Sequence, residues 1–147
     1  MRPLEHLVCS VGLASLLYQI NGDAKCAVSC VLTGTLVDVD HLIEYRQYCR
    51  EQSKGWDWKE FSSGTYFDRK GTIKVVFHSW EVVILGIILC FMKRKQANNN
   101  REMGMISGYT LHLILDQIGN NMGKMGYLWL YRYFNGWNQK KLLENEK

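Results

Sequence analysis

The sequence predicts an all-α fold: a single-domain bundle of about five helices, with an aromatic-rich loop between the second and third long helical segments. Three observations lead there. The 147 residues include one Pro, and Pro interrupts helices by removing an N–H donor and clashing with the preceding turn. Apolar residues make up 47% of the chain, enough to bury a core. They fall in long helical patterns separated by polar turn signals.

The first pattern covers residues 4–20 and ends at the turn Asn21-Gly22-Asp23, where Asp23 is placed to cap the next helix. The second runs from residue 24 to about 37. It meets Asp38-Val39-Asp40-His41, where a break or kink is expected, and helical periodicity resumes to about residue 50. Residues 53–71 change character: Trp56, Trp58, Phe61, Tyr66 and Phe67 stand among Gly, Ser, Lys and Asp. That composition predicts an irregular loop whose aromatics pack onto helices. A third helix is predicted over 72–92, a polar loop over 93–100, a fourth helix over 101 to about 120, and an aromatic-rich helix over 127 to about 143. Gly12, Gly34, Gly86, Gly104 and Gly108 lie inside apolar runs, where glycine allows helices to approach closely. No repeat or long linker separates domains.

A net charge of +4 is too mild to imply nucleic acid, and none is predicted as a specific partner. The densest basic group, Lys93, Arg94 and Lys95 with Arg101 beyond, reads as a solvated interhelical loop. Five Cys is an odd count without a CxxC spacing, which suits reduced core thiols in a reducing compartment. Glu5 and His6 spoil the basic start of a signal peptide. The expected location is the cytoplasm or the cytoplasmic membrane surface, without secretion. The strongest apolar run, 82–92, is about half the roughly 20 residues a span needs, which favours a compact bundle over a spanning one. The stretch from Tyr127 to Trp137, with Lys140 and Lys141, would suit peripheral contact with a membrane.

The histidines carry the chemistry. His41 has Asp38 three residues before it and Glu44 three after; His78 has Glu81 three after; His112 has Asp116 four after. On a helix these spacings put both side chains on one face. All three lie in largely apolar surroundings, where a carboxylate is costly unless it is paired or bound to a metal. Packed together, such faces would gather several acids and imidazoles whose charges require a cation. Imidazole plus carboxylate suits Zn²⁺, and also Mn²⁺ or Fe. The ligand supply fits one or two ions. Glu44 or Glu81 would remain as general base or as an acid orienting a ligand histidine.

These residues resemble a known pattern. Gly108-Tyr109-Thr110-Leu111-His112-Leu113-Ile114-Leu115-Asp116-Gln117 looks like the G-Y-x-x-H-x-x-x-D segment of the zinc-dependent phospholipase C family. Asp38-Val39-Asp40-His41 and His78-Ser79 resemble the D-x-D-H and T-H-S elements of the related membrane-bound metal-dependent hydrolases, and His6 resembles their early histidine. The resemblance implies an all-helical fold and hydrolysis of a phosphoester, with a phospholipid among the candidate substrates, by a metal-activated water. It implies His6, Asp38, Asp40, His41, His78, His112 and Asp116 as metal or active-site residues, with Asp40 among the catalytic acids. The pattern is departed from at Val37, which stands for Pro, and at Phe77, which stands for Thr. The chain also lacks the N-terminal Trp and extra histidines of a three-zinc site.

Two other readings compete. A ferritin-like di-metal carboxylate protein wants Glu-x-x-His twice, and here only Asp38-x-x-His41 has that order. A non-catalytic membrane-associated helical protein would use the polar pairs structurally.

Overall fold

The computed structural model describes residues 3–93, 100–120 and 122–143, apart from the side chain of residue 93. The fold is all-α. Among the described residues there are nine helical segments and no strand, only two isolated antiparallel bridges, Thr72 with Asn138 and Met122 with Leu143. The chain forms two compact units: Met1–Val37 with Ser79–Asn120, and Asp38–His78 with Asn121–Lys147.

The first unit is built from α1 (Pro3–Asn21), α2 (Ala24–Leu36), α6 (Trp80–Lys93) and α7 (Asn100–Gly119). α2 packs on α1 and α7, α1 on α7, and α6 on α7. Asp23 caps α2 as expected, accepting the Lys25 N–H at 2.8 Å. The buried stripes are mostly small or polar: His6, Ser10 and Ala14 on α1; Cys26, Ser29, Cys30 and Gly34 on α2; Gly104, Gly108, His112 and Asp116 on α7, joined by the larger apolar Leu113 on α7 and Val83 on α6. Most of the large apolar side chains point the other way. Leu4, Val8, Val28, Leu85, Phe91 and Ile118 are all exposed, Ile118 at 77%.

Gly104 and Gly108, one helical turn apart, let α7 lie against the α2 backbone. A Cβ on Gly104 would come within 2.1 Å of the Cys26 carbonyl oxygen, and one on Gly108 within 2.1 Å of that of Cys30. Thr33 adds a cross-helix bond from its hydroxyl to the Met105 carbonyl at 2.9 Å. This is the small-xxx-small contact that joins helices in lipid, where backbone proximity replaces hydrophobic drive.

The second unit holds α3 (Val39–Glu51), α4 (Trp58–Ser63), α5 (Thr65–Lys70), α8 (Trp129–Phe134) and α9 (Gln139–Leu142). Tyr45, Tyr48, Cys49 and Tyr66 form one core with Phe61 and Phe67 against it; Ile73, Val75 and Leu142 form another. Inside the first core Glu60 accepts hydrogen bonds from Lys54, from Tyr45 at 2.8 Å and from Arg69 at 2.7 Å.

The count of about five helices is corrected. A turn at residues 37–38 divides the second segment into α2 and α3, where a break was expected. The aromatic loop is not irregular. It holds α4, which Asp57 caps by accepting the Lys59 and Glu60 N–H groups, and α5, with Gly64 and Gly71 in left-handed conformation at their ends. The third helix starts at Trp80 and not at residue 72. Residues 72–76 are rich in β-branched side chains, which favour extended backbone. That segment instead pairs with the chain near 138, through Ile73 N–H to the Trp137 carbonyl and Gln139 N–H to the Gly71 carbonyl, both 3.0 Å. The C-terminal helix is two short pieces, α8 and α9, parted by Gly136 and Trp137 at positive φ. Of the expected basic loop, Arg94 and Lys95 lie outside the described residues.

The helical run Ala24–Glu51 is long and apolar enough, by length and composition, to cross a membrane.

Candidate metal-binding clusters

In the first unit the site residues come from α1 and α7. His112 and Asp116 share a face of α7, as their spacing predicts, with Nε2 3.5 Å from Asp116 Oδ2. His6, buried on α1, brings its Nε2 within 3.1 Å of Asp116 Oδ1, and the two imidazoles stack with centroids 3.9 Å apart. His112 Nδ1 lies 2.9 Å from the Gly34 carbonyl oxygen. A carbonyl can only accept, so Nδ1 carries the proton. The Nε2 of a neutral ring then turns a lone pair toward the Asp116 carboxylate. Two acceptors facing each other in a buried site need a proton or a metal ion between them. His6 Nδ1 and Ser10 Oγ, a helical turn apart on α1, are buried with no hydrogen-bond partner among the described residues.

In the second unit Asp38, His41 and His78 bring one ligand atom each within 4.8 Å of one another. Asp38 precedes α3 at the N-cap position, yet its side chain makes no capping bond. Its Oδ1 lies 3.2 Å from His78 Nε2 and 3.8 Å from His41 Nε2. Tetrahedral zinc with bonds of about 2.0–2.1 Å wants ligand atoms roughly 3.4 Å apart; the Asp38–His78 contact is close to that edge length and the Asp38–His41 contact somewhat longer. His78 is held on its other nitrogen: Nδ1 is 3.1 Å from Asp40 Oδ2, which also accepts the Phe77 N–H at 2.8 Å. A neutral imidazole donates from one nitrogen only, so a carboxylate at each end calls for either a protonated ring or a bound cation. The Tyr66 hydroxyl, 3.4 Å from His41 Nδ1, can accept that nitrogen's proton and leave Nε2 for a metal. Burial, followed by the nearby Glu44 and Asp40 carboxylates, pushes the Tyr66 phenol up, so its hydroxyl stays protonated.

Glu44 accepts from Lys70 Nζ at 2.8 Å and from the Lys74 N–H at 2.9 Å. It is a buried ion-pair acid. Glu81 sits half-buried in the first turn of α6, where a carboxylate complements the helix dipole. The premise that His78 and Glu81 share a helical face is corrected, because His78 lies before the helix starts. The five cysteines are free thiols, and Cys30 donates weakly to the Ser10 carbonyl at 3.9 Å.

Three contributors escaped sequence reasoning. Gly34 offers a backbone carbonyl, which leaves no side-chain signal. Ser10 stood four residues after His6, a spacing that could have flagged it. Arg132, in the aromatic C-terminal stretch, is fully buried and donates to the carbonyls of Val75 and His78.

Comparison with protein-family models, with curated proteins and with solved structures gives no match.

Proposed function

We propose that the chain is a metal-dependent hydrolase of phosphate esters, seated in a membrane, with divalent ions held by its two His–His–Asp clusters. One observation carries the reading: in each cluster a histidine already engaged at Nδ1 faces a carboxylate with Nε2. Zinc, when bound, would place a charge between them, lower the pKa of a coordinated water toward neutrality and polarise a phosphoryl oxygen.

The chain's own residues divide the work. Asp38, His41 and His78 are the ligands of the reacting site, because Asp38 and His41 are about one quarter exposed and an open position is what catalysis needs. Asp40 orients His78 from behind, and Tyr66 orients His41. His6, His112 and Asp116 are all buried, the closed environment of a site that fixes structure. Glu44, neutralised by Lys70, is not assigned the general base. The choice of phosphoester follows from the resemblance at 38–41, 78–79 and 108–117.

The membrane reading rests on the first unit being polar within and apolar without. At about 1.5 Å per residue its 19-residue α1 and 20-residue α7 reach about 30 Å, the thickness of a hydrocarbon core, while by composition Ala24–Glu51 is the one run among the described residues apolar enough to cross it. Buried ionisable residues on such helices mark functional sites. An apolar exterior favours a membrane lipid as the phosphoester.

Detergent-purified protein loaded with zinc should hold two ions by native mass spectrometry and hydrolyse a generic phosphodiester. Absence of bound metal under loading conditions removes the metal reading. Metal without hydrolysis removes the enzyme. Release from membranes by carbonate washing removes the embedded location.

A further inference from the structure

We propose that Arg132 is a positioning residue that sets His78 at the Asp38–His41–His78 cluster; this rests on the metal reading of that cluster. Arg132 lies on α8, 0% exposed. One terminal nitrogen donates to the Val75 carbonyl and the other to the His78 carbonyl at 2.7 Å. Its guanidinium carbon lies 5.8 Å from the centre of the Trp137 ring. A guanidinium is a planar fork with fixed donor directions, so two carbonyls three residues apart are held at a set separation. The segment between them is not helical and has no internal ladder to define it. Asp40 holds the same segment from its donor side, through Phe77 N–H and His78 Nδ1. Arg132 and Asp40 therefore fix His78 by backbone and ring together, and the direction of Nε2 toward Asp38 follows. A buried cation is costly to desolvate, which makes a purely space-filling role a poor explanation for Arg at this position.

The test uses the full chain in detergent with Co²⁺ as probe. Arg132→Met should weaken Co²⁺ binding about 10–100-fold, the range for outer groups that orient a ligand, and alter the cobalt visible spectrum. Arg132→Lys, keeping charge without the fork, should recover part of the affinity, and it replaces Arg132→Met if that variant does not fold. The double variant Arg132→Met/His78→Ala should bind no more weakly than His78→Ala alone, because the two residues act through one ligand. Additive losses, or an unchanged affinity and spectrum, overturn the proposal. Amide exchange gives a reading without metal. Arg132→Met should accelerate exchange at Phe77 and His78 selectively, and uniform or absent acceleration counts against the positioning role. A wild-type chain that binds no Co²⁺ defeats the metal reading, and exchange alone then decides whether Arg132 fixes His78.

Discussion

His112 donates its Nδ1 proton to the Gly34 carbonyl 2.9 Å away, and this bond decides what the rest of the imidazole can do. With that nitrogen committed, Nε2 is available to a cation shared with Asp116 and His6. His112→Ala and Asp116→Ala should each lower bound zinc by about one ion per chain, the site having three protein ligands. Elemental analysis of the purified variants checks this. Unchanged metal content in both would mean that these residues form only an ion pair.

Asp40 to Asn keeps the shape of the side chain and removes its charge. Asn can still accept from Phe77 N–H, yet it orients His78 less strongly. Zinc affinity should fall about 10–100-fold, with little change in helix content. Competition against a chelator of known affinity measures the loss, and circular dichroism controls for folding.

At Gly104 or Gly108 the added Cβ of Ala would meet a backbone carbonyl oxygen 2.1 Å away, and backbone cannot rotate aside as a side chain can. Each substitution should cost about 1–3 kcal/mol, read as a lowered unfolding temperature in detergent. Gly12→Ala, with nothing within 4 Å of the new Cβ, is the control and should cause no comparable drop.

Glu60 supplies a pH dependence away from the proposed metal sites. Hydrogen bonds from Lys54 first and Tyr45 second hold its carboxyl below the ordinary value of 4.5. A depressed folded value means that the stabilisation is complete above pH 4.5 and is lost as pH falls through the folded value. Glu60→Gln should therefore be less stable than wild type at pH 7, with the gap closing in acid. Denaturant titrations from pH 7 to about pH 3 follow it, and a gap independent of pH would refute the assignment.

The residues differ in how far the sequence revealed them. His112 and Asp116 were legible because one helix carries both and the four-residue step survives folding. His6 was named only through the resemblance, since its partner lies about 110 positions away and only packing of α1 on α7 joins them. His78 was found for a misleading reason: its three-residue step to Glu81 presumed a helix that begins two residues later. The α4 and α5 turns were within reach, because Asp57 followed by Glu60 is a capping signature and Gly64 and Gly71 are stops. The density of aromatics drew attention away from those signals. The exposed apolar faces of the first unit were not legible because hydropathy counts letters and does not say which of them a fold turns outward.

That reversed burial gives the two faces of the helices opposite tolerances. On the proposed membrane seating, one aliphatic group along α6 and the outer side of α1 should replace another with little effect, since fluid hydrocarbon has no fixed shape to match. A single lysine there should be rejected. Within the α2–α7 seam chemistry matters less than bulk, and one methyl group is already too much. A library scored for survival should therefore divide the chain into positions governed by polarity and positions governed by size.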